Sequence, residues 1–191
     1  MELNEVLYRL GWIVKTFNIM IVIWFFLTQF STYKWSLFYG QRNTLTSLQH
    51  HEMQSCFITV CCVVLTHLYG SAVEQYLLSL DFDRSNKLRV FYIGVMGVHF
   101  SEILVIFIWH RLRGCLFSQT TRICIYTRII SMLLSFMELI ARGYFDYHEL
   151  FPVYVAGGWA CSIIVVCAMS VYPIRQSVAY FKQRREAVAH E

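Results

Sequence analysis

The chain has 191 residues, 57% of them hydrophobic and 15% charged. Soluble domains carry about 25% charged residues, so this composition excludes an ordinary soluble domain and leaves an integral membrane protein. The net charge of +4 is too small to point to nucleic acid, and no nucleic-acid partner is expected.

The amino terminus, MELNEVLYRL, carries acidic residues and no small-residue cleavage site, so no cleaved signal peptide is expected. Leu3, Val6, Leu7 and Leu10 recur at helical spacing and predict a short interfacial helix over residues 1–10. A first span follows at about 11–30, most apolar at Phe17–Leu27. Lys15 near its start reads as a snorkelling side chain. Residues 31–54 form the longest connection, rich in Tyr33, Trp35, Phe38 and Tyr39 and suited to an interface. It ends in Gln49-His50-His51-Glu52, which lacks metal-ligand spacing and reads as a solvated loop.

Two long apolar runs come next, at about 56–80 and 90–109, joined by the charged stretch DFDRSNKLR at 81–89. Each is long enough to cross a bilayer. A short basic stretch, HRLRGCLFSQTT, precedes a fourth span at about 122–142, which contains Arg128, Glu138 and Arg142. The fifth span, about 151–172, is the cleanest. Pro152 sits near its start and Pro173 at its end, where it predicts a helix stop. A basic tail, 174–191, completes one transmembrane domain. The predicted fold is therefore all-α, a polytopic helix bundle of five spans, with four as the alternative if the fourth segment lies in the interface. With five spans, nine basic residues flank one side and four the other, so the carboxyl terminus is expected in the cytoplasm.

Ionisable residues inside spans cost roughly 2.5–3.5 kcal/mol each on insertion scales and lean functional. They are His67, Glu74, His99, Glu102, Arg128, Glu138 and Arg142. Antiparallel spans fix their depth at 1.5 Å per residue. His67 and His99 fall near the midplane. Glu102 lies one turn from His99 and is displaced toward the loop after span three, and Arg128 toward that same side. Glu102 and Arg128 are therefore expected partners. Glu74 and Glu138 fall toward the opposite face, with Arg142 at i+4 from Glu138.

Small residues mark helix-packing seams: Ala156, Gly157, Gly158, Ala160 and Ser162 on span five, with Gly94 and Gly97 on span three. Cys115, beside Arg111 and Arg113, is a juxtamembrane thiol suited to reversible palmitoylation. No CxxC, nucleophile elbow, P-loop or HExxH occurs. No metal site and no cofactor are expected, and catalysis has no sequence support.

Three functions remain. The first is a non-catalytic protein acting by association, an accessory subunit or membrane-organising factor, with a membrane-protein partner or a second copy besides the lipid bilayer. The second is an ion or proton transporter or channel subunit using the intramembrane carboxylates. The third is a haem-binding redox protein ligated by His67 and His99. The organelle is not encoded in any of these features.

Overall fold

A computed structural model describes residues 3–30 and 47–189. Five helices carry the fold: α1 Leu3–Phe25, continued by a π-helical turn Phe26–Phe30, α2 Leu48–Ser79, α3 Arg84–Arg113, α4 Gln119–Tyr144 and α5 Phe151–Ala189. All five are long and apolar enough to cross a membrane. Each packs on its neighbour in the chain, and α5 returns to α1, so the helices close a ring. The aromatic residues expected at an interface in the first connection lie outside the described residues.

The helix ends follow from their local chemistry. Ser47 is in extended conformation and its hydroxyl accepts from the His50 N–H at 3.2 Å, starting α2. Ser118 does the same for Thr121 at 3.2 Å, starting α4. Gly114 ends α3 with φ 61°, a left-handed value that glycine adopts without penalty. The N–H groups of Gly114 and Cys115 then satisfy the carbonyls of Arg111 and His110.

Several expectations need correction. The segment over 1–10 is not a separate interfacial helix but runs into the first span without a break at residues 3–25. His50, His51 and Glu52 are not in a solvated loop: they form the first turns of α2. Residues 84–89 belong to α3 rather than to the turn. Pro173 does not stop the last helix, which continues through it. The reason is tertiary. A proline removes one ladder bond, but side chains on both sides of it are anchored. Tyr172 stacks on Phe25 with ring centroids 5.7 Å apart, and the Trp24 indole N–H donates to Ser177 Oγ at 3.1 Å. Arg175 pairs with Glu52 at 2.6 Å. With 39 residues, α5 is about 58 Å long, roughly twice a bilayer core. Its last third, the basic tail, is helical and exposed.

The two ends of the bundle differ. The hairpin face carries the α2–α3 and α4–α5 turns, and the tail face carries the carboxyl terminus. The tail half holds the apolar core, where Phe25, Phe57, Val60, Val63, Cys124 and Met169 are buried together. The hairpin half holds cavities whose walls carry ionisable side chains.

Candidate functional site

Two adjoining cavities lie between the helices, of about 300 and 270 Å³. Glu74, His99, Arg128, Trp159 and Ser162 line both. One is extended by Lys15, Thr66, His67 and Ser71, the other by Ser131, Ser135 and Tyr154. All five helices thus contribute to two half-open cavities that share a wall of polar and apolar side chains. Glu74, near the hairpin end of α2, is the exposed carboxylate of their lining. Toward the tail face the bundle interior is the buried apolar cluster.

The floor is built on Arg128. Its Nε donates to Glu102 Oε1 at 2.7 Å, with both side chains buried at 5% and 0% exposure. Its Nη2 lies 3.2 Å from His67 Nε2. A guanidinium can only donate, so Nε2 is the bare nitrogen of a neutral ring and Nδ1 carries the proton. Nδ1 faces the terminal amide of Asn18 at 3.0 Å. That amide must turn its oxygen to the ring, which also supplies Asn18 Oδ1 with the partner it otherwise lacks. The result is a relay from Asn18 on α1 through His67 on α2 and Arg128 on α4 to Glu102 on α3. Lys15, read as snorkelling, instead points into the bundle and donates to Ser71 Oγ at 2.8 Å.

His99 shares the cavity wall but not the relay. Its Nδ1 is buried and meets no partner among the described residues. Buried polar atoms are rarely left so, and the space beside His99 is large enough for water or a small solute.

Glu138 is not grouped with Glu74. It is fully buried between α3 and α4, where Tyr92 Oη donates to its Oε2 at 3.3 Å and Arg142 Nε stands at 3.9 Å. Arg142 also donates to Tyr92 Oη at 3.2 Å and lies over the Phe151 ring at 4.8 Å. This is a structural clasp near the hairpin face.

A third polar group went unread in the sequence. At the tail face, His110 Nδ1–H donates to the Ile106 carbonyl at 2.8 Å, which leaves Nε2 to accept from the Ser55 hydroxyl at 2.8 Å. Ser55 in turn accepts from the Ser118 N–H at 2.8 Å and lies 2.7 Å from Thr121 Oγ1. Ser55 is fully buried, so the pair ties α2, α3 and α4 together and offers no nucleophile to a substrate.

The small residues divide by position. A Cβ on Gly157 would stand 2.6 Å from Leu134, and one on Gly94 would collide with Leu77, so both mark close approaches. Gly97 and Gly158 have open space where a Cβ would go. Gly158 and Ser162 line the cavity. Ala156 and Ala160 face outward from the bundle.

Cys115 is 7% exposed. Burial pushes its thiol up to about 11, with Arg113 pulling the other way, which makes it a poor acyl acceptor at neutral pH. His67 has both ring nitrogens engaged, which leaves none free for an axial bond to haem. Among the described residues no group of three His, Cys, Asp or Glu side chains is arranged to hold a metal ion. No family model, no curated protein and no solved structure matches the chain.

Proposed function

We propose that the protein is a multi-pass membrane subunit of the transporter or channel type, which takes protons or a small polar solute into the bundle from the hairpin face. One observation carries this reading: adjoining cavities to which all five helices bring ionisable or hydroxyl side chains among apolar ones, with a buried His99 nitrogen that meets no partner among the described residues on their wall. Ionisable groups around an intramembrane cavity mark solute and proton pathways. The exposed Glu74 attracts cations or donates a proton. His99 accepts a proton or a hydrogen bond inside. The Arg128–Glu102 pair forms the floor, and passage beyond it requires that pair to part. With the tail face cytoplasmic, as the basic residues suggest, the cavity opens away from the cytoplasm.

Flux in proteoliposomes tests the reading. With a trapped pH-sensitive dye and an imposed membrane potential, wild-type protein should carry protons faster than empty liposomes. His99→Ala and Glu74→Gln should each lower the rate at least tenfold. Wild-type flux unchanged in both variants would remove the cavity as the pathway.

Association without transport is the second reading, and one observation favours it. Ala156 and Ala160 lie one turn apart and both face outward on α5, a spacing that lets a second helix approach closely. Absence of flux together with a dimer lost on Ala156→Leu would support it.

A further inference from the structure

The tail face holds a separate pocket of about 730 Å³ between α2, α3 and α4. We propose that it binds the phosphate-bearing headgroup of an anionic phospholipid. Arg111, from the last turn of α3, and Arg122, from the first turn of α4, both line it. The α3–α4 turn folds back so that these two guanidinium-bearing side chains, 11 positions apart in the chain, share one wall. Both are exposed and neither has an acidic partner among the described residues. The one carboxylate on the wall, Glu52, is already engaged by Arg175 at 2.6 Å, so the pocket keeps a net positive charge.

The backbone adds to it. α4 starts at this wall, and the side chain of Ser118 caps only the Thr121 N–H. The positive end of a 26-residue helix therefore faces the pocket alongside the arginines, an arrangement that favours phosphate oxygens. Arginine forks bind phosphate bidentately.

The apolar side of the pocket selects a lipid over a free ion. Leu48, Phe107 and Leu116 line it and are exposed. A free phosphate has no use for such a wall, whereas glycerol and the upper acyl chain of a lipid do. Basic pockets between transmembrane helices on the cytoplasmic side are where anionic headgroups bind, and the count of basic residues points this face to the cytoplasm. The inference is independent of the solute cavity, which lies in the other half of the bundle.

Native mass spectrometry of the full chain in mild detergent tests it, with dioctanoyl phosphatidylinositol 4-phosphate as the probe. One lipid should bind per chain. The double variant Arg111→Gln, Arg122→Gln should bind about thirtyfold more weakly, the product of two basic residues' usual attraction to anionic lipid. Arg184→Gln, Arg185→Gln on the exposed end of α5 should bind as wild type does. The single variant Arg122→Gln, with its thermal midpoint measured alongside, should bind about fivefold more weakly and guards against a folding defect in the double variant. Wild-type affinity in the double variant would overturn the proposal, and so would equal loss in the α5 variant. Displacement of the lipid by inorganic phosphate at the same concentration would also overturn it, because the ligand would then be the free ion.

Discussion

Arg128 Nε lies 2.7 Å from Glu102 Oε1, with both side chains buried between the helices. The same guanidinium reaches His67 Nε2 at 3.2 Å, so one side chain on α4 ties α3 to α2. Removing one partner of a buried pair leaves a charge without compensation, which costs about 3–5 kcal/mol. Arg128→Ala should therefore lower the thermal midpoint in detergent strongly. Adding Glu102→Gln should recover part of the loss, because the orphaned charge is gone. Additive effects in that double-mutant cycle would mean that the two residues are not coupled.

Tyr92 joins Glu138 to Arg142 through one hydroxyl. Tyr92→Phe keeps the ring and its edge contact with Tyr154, at 5.6 Å between centroids, and removes only the hydroxyl. The expected cost is about 1–3 kcal/mol, the penalty for a buried polar group left unpaired. Unfolding monitored by circular dichroism reads it, and an unchanged midpoint would show the clasp to be idle.

Ser55 Oγ bonds to His110, Ser118 and Thr121 at once. Ser55→Ala leaves His110 Nε2 and the Ser118 N–H without that partner and should cost about 1–3 kcal/mol. Ser79→Ala is the comparison: that hydroxyl is exposed and bonds only to the Tyr76 carbonyl, so the change should be close to neutral. Equal loss in the two variants would remove the buried network as the cause.

The Cys115 thiol offers a pH test. Burial raises it from 9.0 to about 11, so the folded protein favours the protonated form. At pH 8 only about one thiol in a thousand is ionised. Iodoacetamide should leave Cys115 of the folded protein unmodified at pH 8 and react with it as the pH approaches 11. The stability held by the protonated thiol is present below pH 9 and is lost as the pH rises through about 11. Peptide mass spectrometry after timed alkylation checks the reactivity, and rapid modification at pH 8 would contradict the burial.

The glycines separate by the same geometry. Gly157→Ala requires the Leu134 side chain, whose Cδ1 would stand 2.6 Å from the new Cβ, to swing aside, so it should gain less stability than Gly97→Ala. Gly97→Ala meets nothing within 4 Å and should be neutral or stabilising by up to about 1 kcal/mol through helix propensity.

How far the sequence speaks depends on the kind of signal. Five spans are legible because a bilayer demands about 20 apolar residues each time. The depth of Glu102 and Arg128 is legible because antiparallel helices with a fixed rise turn residue number into height. Which faces meet is not encoded by depth. Glu74 and Glu138 share a level, yet one lines the cavity and the other is clasped between α3 and α4. Lys15 sits near a span end, where snorkelling and an inward bond to Ser71 look alike. Ser55, Thr121 and Ser118 carry no charge and no spacing rule, and His110 lies one residue beyond the apolar run 90–109, so their meeting appears only when three helices are assembled. Pro173 obeys its local preference in most helices, but here the contacts of Tyr172, Arg175 and Ser177 hold the helix through it.

Thiol accessibility from each side of the membrane tests the open cavity most directly. Ser131→Cys and Ser162→Cys place a thiol on the cavity wall, and Val165→Cys places one in the apolar core of the tail half. A membrane-impermeant sulfonated maleimide, with labelling read at each site by mass spectrometry against the parent chain, should modify the first two from the hairpin face alone and leave the third untouched. Failure to label Ser131→Cys and Ser162→Cys from either side, or equal labelling from both, would contradict a cavity that opens at one face and closes at the Arg128–Glu102 pair.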